Sequence, residues 1–254
     1  LPSDHDPSQK VIRTYGETEL MPTIRALILR APGTNCDEET AWAFNDAGAT
    51  SDRVHVNRLL DEPLLLNDYQ ILCLPGGFSF GDDLGSGRIL SLVLKDRLGD
   101  RLTAFRDRGG LILGICNGFQ VLLQTGLLID HDPKTGKIPA TLAPNSQGRY
   151  EDRWVHLEFK GGKCAFVRDD EILTLPIAHA EGRFLTDSED RLSEWSRAGR
   201  IVARYVDEQG RPGGFPINPN GSAGDVAGVC DETGRVFGLM PHPERHLFAT
   251  QHPS

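Results

Sequence analysis

Residues 111–120 read LILGICNGFQ. The first five residues are a short apolar run, which predicts a buried strand, and a helix is expected to begin at about Asn117. Between them, Cys116 stands in a G-x-C-x-G pattern, the thiol counterpart of the G-x-S-x-G strand–turn–helix elbow. Glycine suits positions 114 and 118 because side chains there would collide with neighbouring backbone. The turn places the sulfur beside the free amides of a helix N-terminus, which favour a thiolate, so the pattern predicts a nucleophile.

The other cysteines lack this setting. A buried structural role is the common alternative for any single cysteine. Cys73 lies within an apolar strand and is interpreted as a core residue. Cys36 follows Asn35 in a loop near a helix start, where it could approach the site, but a structural role is favoured. The remaining cysteines are Cys164 and Cys230.

Apolar runs alternate with helical stretches on both sides of the elbow. Strands are predicted at Ile24–Leu29, Arg53–Val56, Gln70–Leu74 and Leu111–Ile115. Helices are predicted from about Asp37 to Gly48, from about Arg88 to Arg108 with Gly99 as a candidate break, and from about Asn117. Continuous apolar strands alternating with helices indicate an α/β fold with an open, mostly parallel sheet and helices on both faces.

Strands dominate the second half of the chain. They are predicted at Trp154–Phe159, Ile201–Val206, Asp225–Cys230 and Arg235–Met240. Glycine and proline turns separate them, so an antiparallel C-terminal extension is expected. Residues 1–20 are polar and irregular and are predicted to form a poorly ordered tail, with packing on the surface as the alternative. One domain is expected over residues 21–254, and Met21 is a candidate for the natural start.

Composition narrows the class of protein. The net charge is −9, which argues against a nucleic-acid binder. The five cysteines are scattered and form no C-x-x-C pair, so neither a disulfide framework nor a zinc ribbon is expected, and a reducing cytoplasm is the predicted location. No apolar run is long enough to span a bilayer.

A second motif, LMPHPERH, covers residues 239–246. A cysteine hydrolase needs a histidine near the sulfur and a group that holds the histidine tautomer. In an extended segment His242 and Glu244 point to the same side, so the carboxylate can reach the imidazole. A metal site of His242 and His246 is disfavoured because Pro243 spoils the helix that such spacing needs. The other alternative is a pair of surface residues.

A third motif, CLPGGFSFGDD, covers residues 73–83 and follows a strand. Attack on an amide creates an oxyanion that needs preorganised N–H donors, and a glycine pair frees backbone amides for this purpose. The Gly77 and Asn117 amides are the two candidates. A phosphate loop is the rival interpretation, but the chain contains no G-x-x-x-x-G-K-[ST] sequence.

These motifs together resemble the class I (triad-type) glutamine amidotransferases. The matching residues are 114–120, 75–77 and 242–244. More narrowly, the chain resembles the glutaminase subunits of phosphoribosylformylglycinamidine synthase, in the stretches 32–37, 78–82, 177–184, 218–222 and 238–245. The resemblance runs from about Met21 to about His246. It implies a flavodoxin-like fold.

The resemblance also implies roles for particular residues. Cys116 would be the nucleophile, His242 the base and acid, and Glu244 the orienting carboxylate. The further implied contacts are the Gly77 and Asn117 amides at the oxyanion, Gln120 at bound glutamine, and the His179 loop along the glutamine pocket, through its backbone. Glu181 would line the same pocket or meet a partner. After Gly81 and Asp82, many members of this family carry an arginine-containing stretch, whereas residues 83–88 of this chain are glycine-rich.

The implied activity is hydrolysis of L-glutamine to glutamate and ammonia through a thioester. Ammonia would pass to a large synthetase subunit, which converts formylglycinamide ribonucleotide to formylglycinamidine ribonucleotide with ATP and Mg²⁺; a small bridging subunit is also expected. No cofactor and no metal is expected on this chain. The alternatives are a stand-alone cysteine amidohydrolase, a catalytically dead scaffold and a flavodoxin-like binding module.

Overall fold

The computed structural model describes residues 23–168 and 170–253, so the predicted tail at 1–20 lies outside the described residues. The strands are β1 (Arg25–Arg30), β2 (Thr50–His55), β3 (Ile71–Leu74), β4 (Leu111–Ile115), β5 (Ala140–Ala143), β6 (Glu151–Phe159), β7 (Glu171–His179), β8 (Arg183–Thr186), β9 (Ile201–Val206), β10 (Val226–Cys230) and β11 (Val236–Leu239). The α-helices are α1 (Asp37–Asp46), α2 (Val56–Asp61), α3 (Arg88–Asp107), α4 (Asn117–Thr125) and α5 (Glu189–Arg197).

Nine of these strands form one sheet in the order β2-β1-β3-β4-β11-β10-β9-β6-β7. The five strands from β2 to β11 run parallel to one another, and we call them the parallel half. The strands from β10 to β7 pair antiparallel and form the antiparallel half. The predicted fold class, a sheet with a parallel core and an antiparallel extension, is confirmed. Strands β5 and β8 form a separate antiparallel pair.

The parallel half follows the sequence prediction closely, although β2 begins at Thr50 rather than at Arg53. Two further differences have a clear physical reason. Val56 was predicted to end a strand but begins α2, because the His55 ring accepts a hydrogen bond from the Asn57 amide (3.2 Å) and caps the helix. Helix α3 continues through Gly99 without a break. The helical hydrogen bonds on either side carry the chain through this single glycine, whose lost propensity costs only about 1 kcal/mol.

The last strand departs from its predicted place. Strand β11 was expected in the antiparallel extension, but it lies between β4 and β10 and runs parallel to β4. All four of its residues are buried, as expected for a strand covered on both faces. Leu239 pairs with Ile115, and its carbonyl accepts a hydrogen bond from the Cys116 amide (2.8 Å). The chain that follows β11 therefore emerges beside the elbow.

The core lies on both faces of this sheet. Helix α4 is buried along almost its whole length, and Phe119, Val121 and Leu122 are fully enclosed. On α3 the buried positions include Leu94, Leu98 and Leu102, at helical spacing. In the part of the chain that the structure describes, no helix combines the length and the apolar character needed to cross a membrane.

Candidate active site

The elbow at Cys116 is a strained turn. Its backbone has φ 51° and ψ −106°, a conformation that costs a residue with a side chain roughly 1–3 kcal/mol. The flanking glycines are required by close packing. A Cβ atom on Gly118 would overlap the carbonyl oxygen of Leu74, and one on Gly114 would lie 2.6 Å from the Gly118 oxygen. The backbone therefore holds the sulfur at the carboxyl edge of the parallel half.

His242 and Glu244 form a buried pair at the same edge. The distance from the imidazole Nδ1 to Glu244 Oε1 is 2.6 Å, and both side chains are 2% exposed. The segment was expected to be extended, but Pro243–Arg245 forms a single 3-10 turn. Proline suits the first position of such a turn because its missing N–H would have no partner there. The turn brings the carboxylate back to the imidazole.

The other ring nitrogen, Nε2 of His242, is buried and makes no well-formed hydrogen bond with any described residue. Burial disfavours the charged imidazolium, but the negative charge of Cys116 and the close approach of the Cys116, Cys36 and Glu244 side chains outweigh it. The pKa of His242 is therefore raised well above its ordinary value. This nitrogen is the group through which His242 can exchange a proton with a sulfur or a ligand.

The glycine loop after β3 lines the same small cavity as Cys116. Gly77 has φ 136°, and a Cβ atom there would lie 2.7 Å from the Asn35 nitrogen, so only glycine fits. The Asn117 side chain fixes this loop to α4. Its Oδ1 accepts from the Ser79 amide (3.2 Å), and its Nδ2 donates to Asp82 (3.3 Å). The Asn117 amide opens the helix, where it has no intrahelical partner.

The Gln120 side chain faces away from this small cavity. Its Nε2 donates to the Glu181 carbonyl (2.6 Å), and its Oε1 accepts from Asn117 Nδ2 (3.1 Å). Gln120 and Glu181 line a larger cavity of about 480 Å³, which also contains Ser86 and Arg88. Gln120, the predicted contact to glutamine, therefore lines the larger cavity and not the small cavity at Cys116.

His179 is buried behind the site. Its Nδ1 lies 3.1 Å from Asn145 Oδ1, and burial lowers the pKa of this histidine to about 4. The imidazole does not line the cavity at Cys116; the preceding residue does, since the Cys116 sulfur lies 3.8 Å from the Ala178 carbonyl oxygen. The contact of this loop with the nucleophile is thus made by the backbone.

A buried polar network fixes the loop that follows β7. Asn145 Nδ2 donates to the His179 carbonyl (2.8 Å), and Asn220 Nδ2 donates to the Gly182 carbonyl (2.8 Å). Ser222 accepts a hydrogen bond from the Phe184 amide (2.9 Å). The stretches 177–184 and 218–222, which carried part of the resemblance, therefore meet in space and hold the loop beside the elbow.

Three further residues line the cavity at Cys116: Cys36, for which the sequence analysis favoured a structural role, and Tyr150 and Arg245, which it did not single out. Cys36 is 1% exposed, and its sulfur accepts a hydrogen bond from Arg245 Nη2 (3.0 Å). A signal was available, because the loop that holds Cys36 follows β1 and ends at the same sheet edge as the elbow. Tyr150 lies outside all the motifs described above, so the sequence carried no signal for it. The Nδ1 atom of His246 contacts the Thr174 carbonyl (2.7 Å).

Comparison with known proteins gives one consistent result. Residues 23–254 match the CobB/CobQ-like glutamine amidotransferase domain. The chain is 46% identical to phosphoribosylformylglycinamidine synthase subunit PurQ from Methanococcus maripaludis, over 90% of this chain and 85% of the relative. It is 45% identical to subunit PurQ from Dehalococcoides mccartyi, over 92% and 89%.

The solved structures agree. A chain in the structure of PurLQS from Thermotoga maritima matches with a TM-score of 0.69 and 32% identity, covering 90% of this chain and 92% of that one. A glutaminase domain of Trypanosoma brucei CTPS, at 15% identity and a TM-score of 0.52, shares the fold. The chain thus belongs to the CobB/CobQ-like glutamine amidotransferase family and, within it, to the PurQ subunits of phosphoribosylformylglycinamidine synthase.

Proposed function

We propose that this chain hydrolyses L-glutamine at Cys116, with His242 and Glu244 as the other members of a triad. The observation that carries the proposal is the buried His242–Glu244 pair (2.6 Å), which leaves Nε2 free beside a strained elbow cysteine. A histidine fixed at one nitrogen by a carboxylate and open at the other is the arrangement that thiol activation requires.

The first half of the reaction forms a thioester. The Cys116 thiolate attacks the side-chain amide carbon of glutamine, and the carbonyl electron pair moves onto oxygen. The Gly77 and Asn117 amides stabilise that oxyanion. The raised pKa of His242 keeps the ring protonated, so that it can donate a proton from Nε2 to the leaving ammonia. The C–N bond breaks, and a glutamyl group remains on sulfur.

The second half releases glutamate. Neutral His242 takes a proton from water, the resulting hydroxide adds to the thioester carbon, and the C–S bond breaks. The same two amides support the second oxyanion. Glu244 holds the imidazole through Nδ1 and stabilises the imidazolium each time it forms.

Glutamine binding is assigned to the side of the elbow that carries Gln120 and the His179 loop. The cavity at Cys116 measures only about 50 Å³, which suits the reacting amide alone. The larger neighbouring cavity contains both a cation, Arg88, and an anion, Glu181, which complement the charges of an amino acid's carboxylate and ammonium groups. Glutamine bound across both cavities would require a rearrangement around Gln120, which separates them.

The released ammonia is proposed to pass to a synthetase subunit. The names of the relatives, subunit PurQ and PurLQS, support assembly with other chains. That partner would use ATP and Mg²⁺ to convert formylglycinamide ribonucleotide to formylglycinamidine ribonucleotide, with a small bridging subunit in the complex, in the cytoplasm. Ammonia is mostly protonated at neutral pH and is then a poor nucleophile, so a guarded route between subunits is chemically favourable.

The test is glutamate release from glutamine by this chain, alone and with the synthetase subunits, ATP and formylglycinamide ribonucleotide. We expect strong activation by the complete mixture, because the partner would drive the rearrangement around Gln120. Equal activity with and without partners would indicate a stand-alone amidohydrolase. No glutamate under any condition, or a yellow flavin-bound protein, would favour a non-catalytic module.

A further inference from the structure

The Cys36 side chain joins two parts of the active site, although the proposed reaction uses no atom of it. Its thiol donates to the side-chain oxygen of Asn35 (3.2 Å), and its sulfur accepts from Arg245 Nη2 (3.0 Å). Burial raises the pKa of this thiol, so it keeps its proton and remains a hydrogen-bond donor at neutral pH. Both hydrogen-bonding functions of Cys36 are therefore used inside the protein.

The chain that follows β1 lies along the glycine loop that follows β3. We call these two segments the first loop (residues 31–36) and the oxyanion loop (residues 75–80). The backbone hydrogen bonds between them run from the Cys36 amide to the Gly76 carbonyl (3.3 Å), from the Phe78 amide to the Gly33 carbonyl (3.0 Å) and from the Phe80 amide to the Pro32 carbonyl (2.6 Å). Gly77, whose amide is the proposed oxyanion donor, lies between two of these bonds, so a shift of the first loop would move that amide.

Arg245 connects the first loop to the turn that carries the catalytic pair. It directly follows Glu244 in the 3-10 turn Pro243–Arg245. Its Nε and Nη2 donate to Glu39 Oε1 on α1 (3.3 and 3.2 Å), and Nη2 also donates to the Cys36 sulfur. A planar guanidinium presents its donors in fixed directions, so Glu39 sets the orientation in which Arg245 meets Cys36.

The oxyanion loop packs against both groups that this connection holds. A Cβ atom on Gly76 would lie 2.7 Å from His242 Cε1 and 3.0 Å from the Cys36 sulfur, so the loop has no space to move towards either one. The position of the oxyanion loop relative to the imidazole therefore depends on where the Cys36 side chain is held.

We propose that Cys36 is a positioning residue, whose hydrogen bond with Arg245 holds the oxyanion loop in place relative to the catalytic turn. This role rests on the proposed function, because it affects the rate only if an oxyanion forms beside Gly77. A displacement of about 1 Å in a catalytic group can cost about 10²-fold in rate. Loss of the Cys36 hydrogen bonds should therefore lower kcat, and it should change KM little because Gln120 lies in the other cavity.

The first test measures the geometry without any turnover. Hydrogen–deuterium exchange of the full-length chain, read on peptides that contain residues 75–80, reports the protection of the Phe78 and Phe80 amides. Exchange should be about tenfold faster in Cys36→Ala than in the parent, because two hydrogen bonds that hold the first loop are lost. Cys36→Ser should exchange nearly as the parent does, since a hydroxyl keeps a donor and an acceptor. Cys164→Ala, which removes a buried thiol outside the site, is the control and should match the parent.

Arg245→Met removes the other partner of the bond and keeps a long side chain. It should accelerate exchange of the oxyanion loop as Cys36→Ala does, and it decides the matter if Cys36→Ala does not fold. The double variant should be no worse than the more affected single variant, because both changes break the same connection.

The second test follows the chemistry in the assembled complex with the synthetase subunits. Cys36→Ala should lower kcat for glutamate release by about 10- to 100-fold and leave KM within about threefold of the parent. Cys36→Ser should recover most of kcat. Alkylation of Cys116 by iodoacetamide, read by peptide mass spectrometry, forms no oxyanion and should keep the parent rate in both variants.

Three results would overturn the proposal. The first is parent-like exchange at residues 75–80 in both Cys36→Ala and Arg245→Met. The second is an equal loss of kcat in Cys36→Ala and Cys36→Ser, and the third is a loss of Cys116 alkylation in step with kcat, as general distortion of the site would give. A parent complex without turnover would reject the proposed function, whereas the exchange rates would still decide whether Cys36 holds the oxyanion loop, so the two failures are distinguishable.

Discussion

Each half of the sheet buries one histidine near the elbow, and the two surroundings shift the histidine pKa in opposite directions. In the parallel half, His242 faces a carboxylate and two sulfurs, and its pKa is raised well above the ordinary value. In the antiparallel half, His179 at the end of β7 faces only Asn145 among its hydrogen-bond partners, and burial lowers its pKa to about 4. The first histidine is equipped to exchange protons, and the second is held neutral.

The two halves of the sheet contribute different parts of the site. The carboxyl ends of β3, β4 and β11 bring the reactive groups together, as expected for parallel strands. The antiparallel half contributes the Ala178 carbonyl and the amide network around Asn220, which set the shape of the site. Changes in the parallel half should therefore act on chemistry, and changes in the antiparallel half should act on stability and binding.

The largest effect is expected from Cys116→Ala in the assembled complex. Glutamate release should fall by at least about 10³-fold, because members of a triad act as a unit. Cys164→Ala is the matched control, a buried cysteine in the loop between β6 and β7. It should cost about 1 kcal/mol of stability and leave turnover nearly unchanged. Comparable turnover losses in the two variants would contradict the assignment of the chemistry to the parallel half of the sheet.

Glu244→Gln should come next, with a loss of roughly 10²–10⁴-fold in turnover, because the amide keeps the shape but no longer stabilises the imidazolium. The carboxylate raises the pKa of His242, so its removal lowers that pKa. Where high pH removes the His242 proton, activity is lost, and the alkaline limb of the pH–rate profile should therefore move to lower pH. If the alkaline limb of the pH–rate profile did not move, Glu244 would have no effect on the protonation of His242.

His179 should appear in stability rather than in rate. Its folded pKa of about 4 lies below the unfolded value of 6.5, so the neutral form stabilises the fold above pH 6.5. That contribution is lost as the pH falls from 6.5 to about 4 and amounts to about 3 kcal/mol. Chemical denaturation across this range should show a shallower acid loss for His179→Gln than for the parent. Parallel curves would show that burial of this imidazole has no such cost.

The smallest effect is expected from Asn220→Ala. The side chain is fully buried and holds the Gly182 carbonyl (2.8 Å), so its loss should cost about 1–3 kcal/mol and raise KM for glutamine more than it lowers kcat. Asn67→Ala, at an exposed position, is the control and should stay within about 0.5 kcal/mol of the parent. If Asn220→Ala lowered kcat and left KM unchanged, the antiparallel half would contribute to the chemical step, contrary to this account.

Sequence patterns predicted the parallel half well because its signals are local. The strand at Leu111–Ile115 has its predicted bounds, since a continuous apolar run between a turn and a helix start is unambiguous. The antiparallel half was harder. Strand β7 begins with three exposed residues and contains Pro176, which a central strand would exclude; as the last strand of the sheet it tolerates the missing N–H. Helix α5 carried a visible Ser188 cap that was overlooked.

The site shows the same limit of local patterns. The spacing of His242 and Glu244 was sufficient to predict their pairing, but the extended segment on which that prediction rested is a 3-10 turn in the structure. Cys36 could be placed near the site from its loop after β1, but its contact with His242 could not be predicted from spacing, since it depends on how that loop and the chain after β11 meet across the sheet edge. Strand order, which decides that meeting, is set by long-range packing.

The most direct test of the central claim is to identify the sulfur that carries the glutamyl group. Acid quenching of the parent complex during glutamine turnover would trap the thioester, and peptide mass spectrometry would locate the adduct. The account predicts a glutamyl adduct on Cys116 and on no other cysteine. An adduct on Cys36, or turnover in the parent with Cys116 never modified, would contradict it.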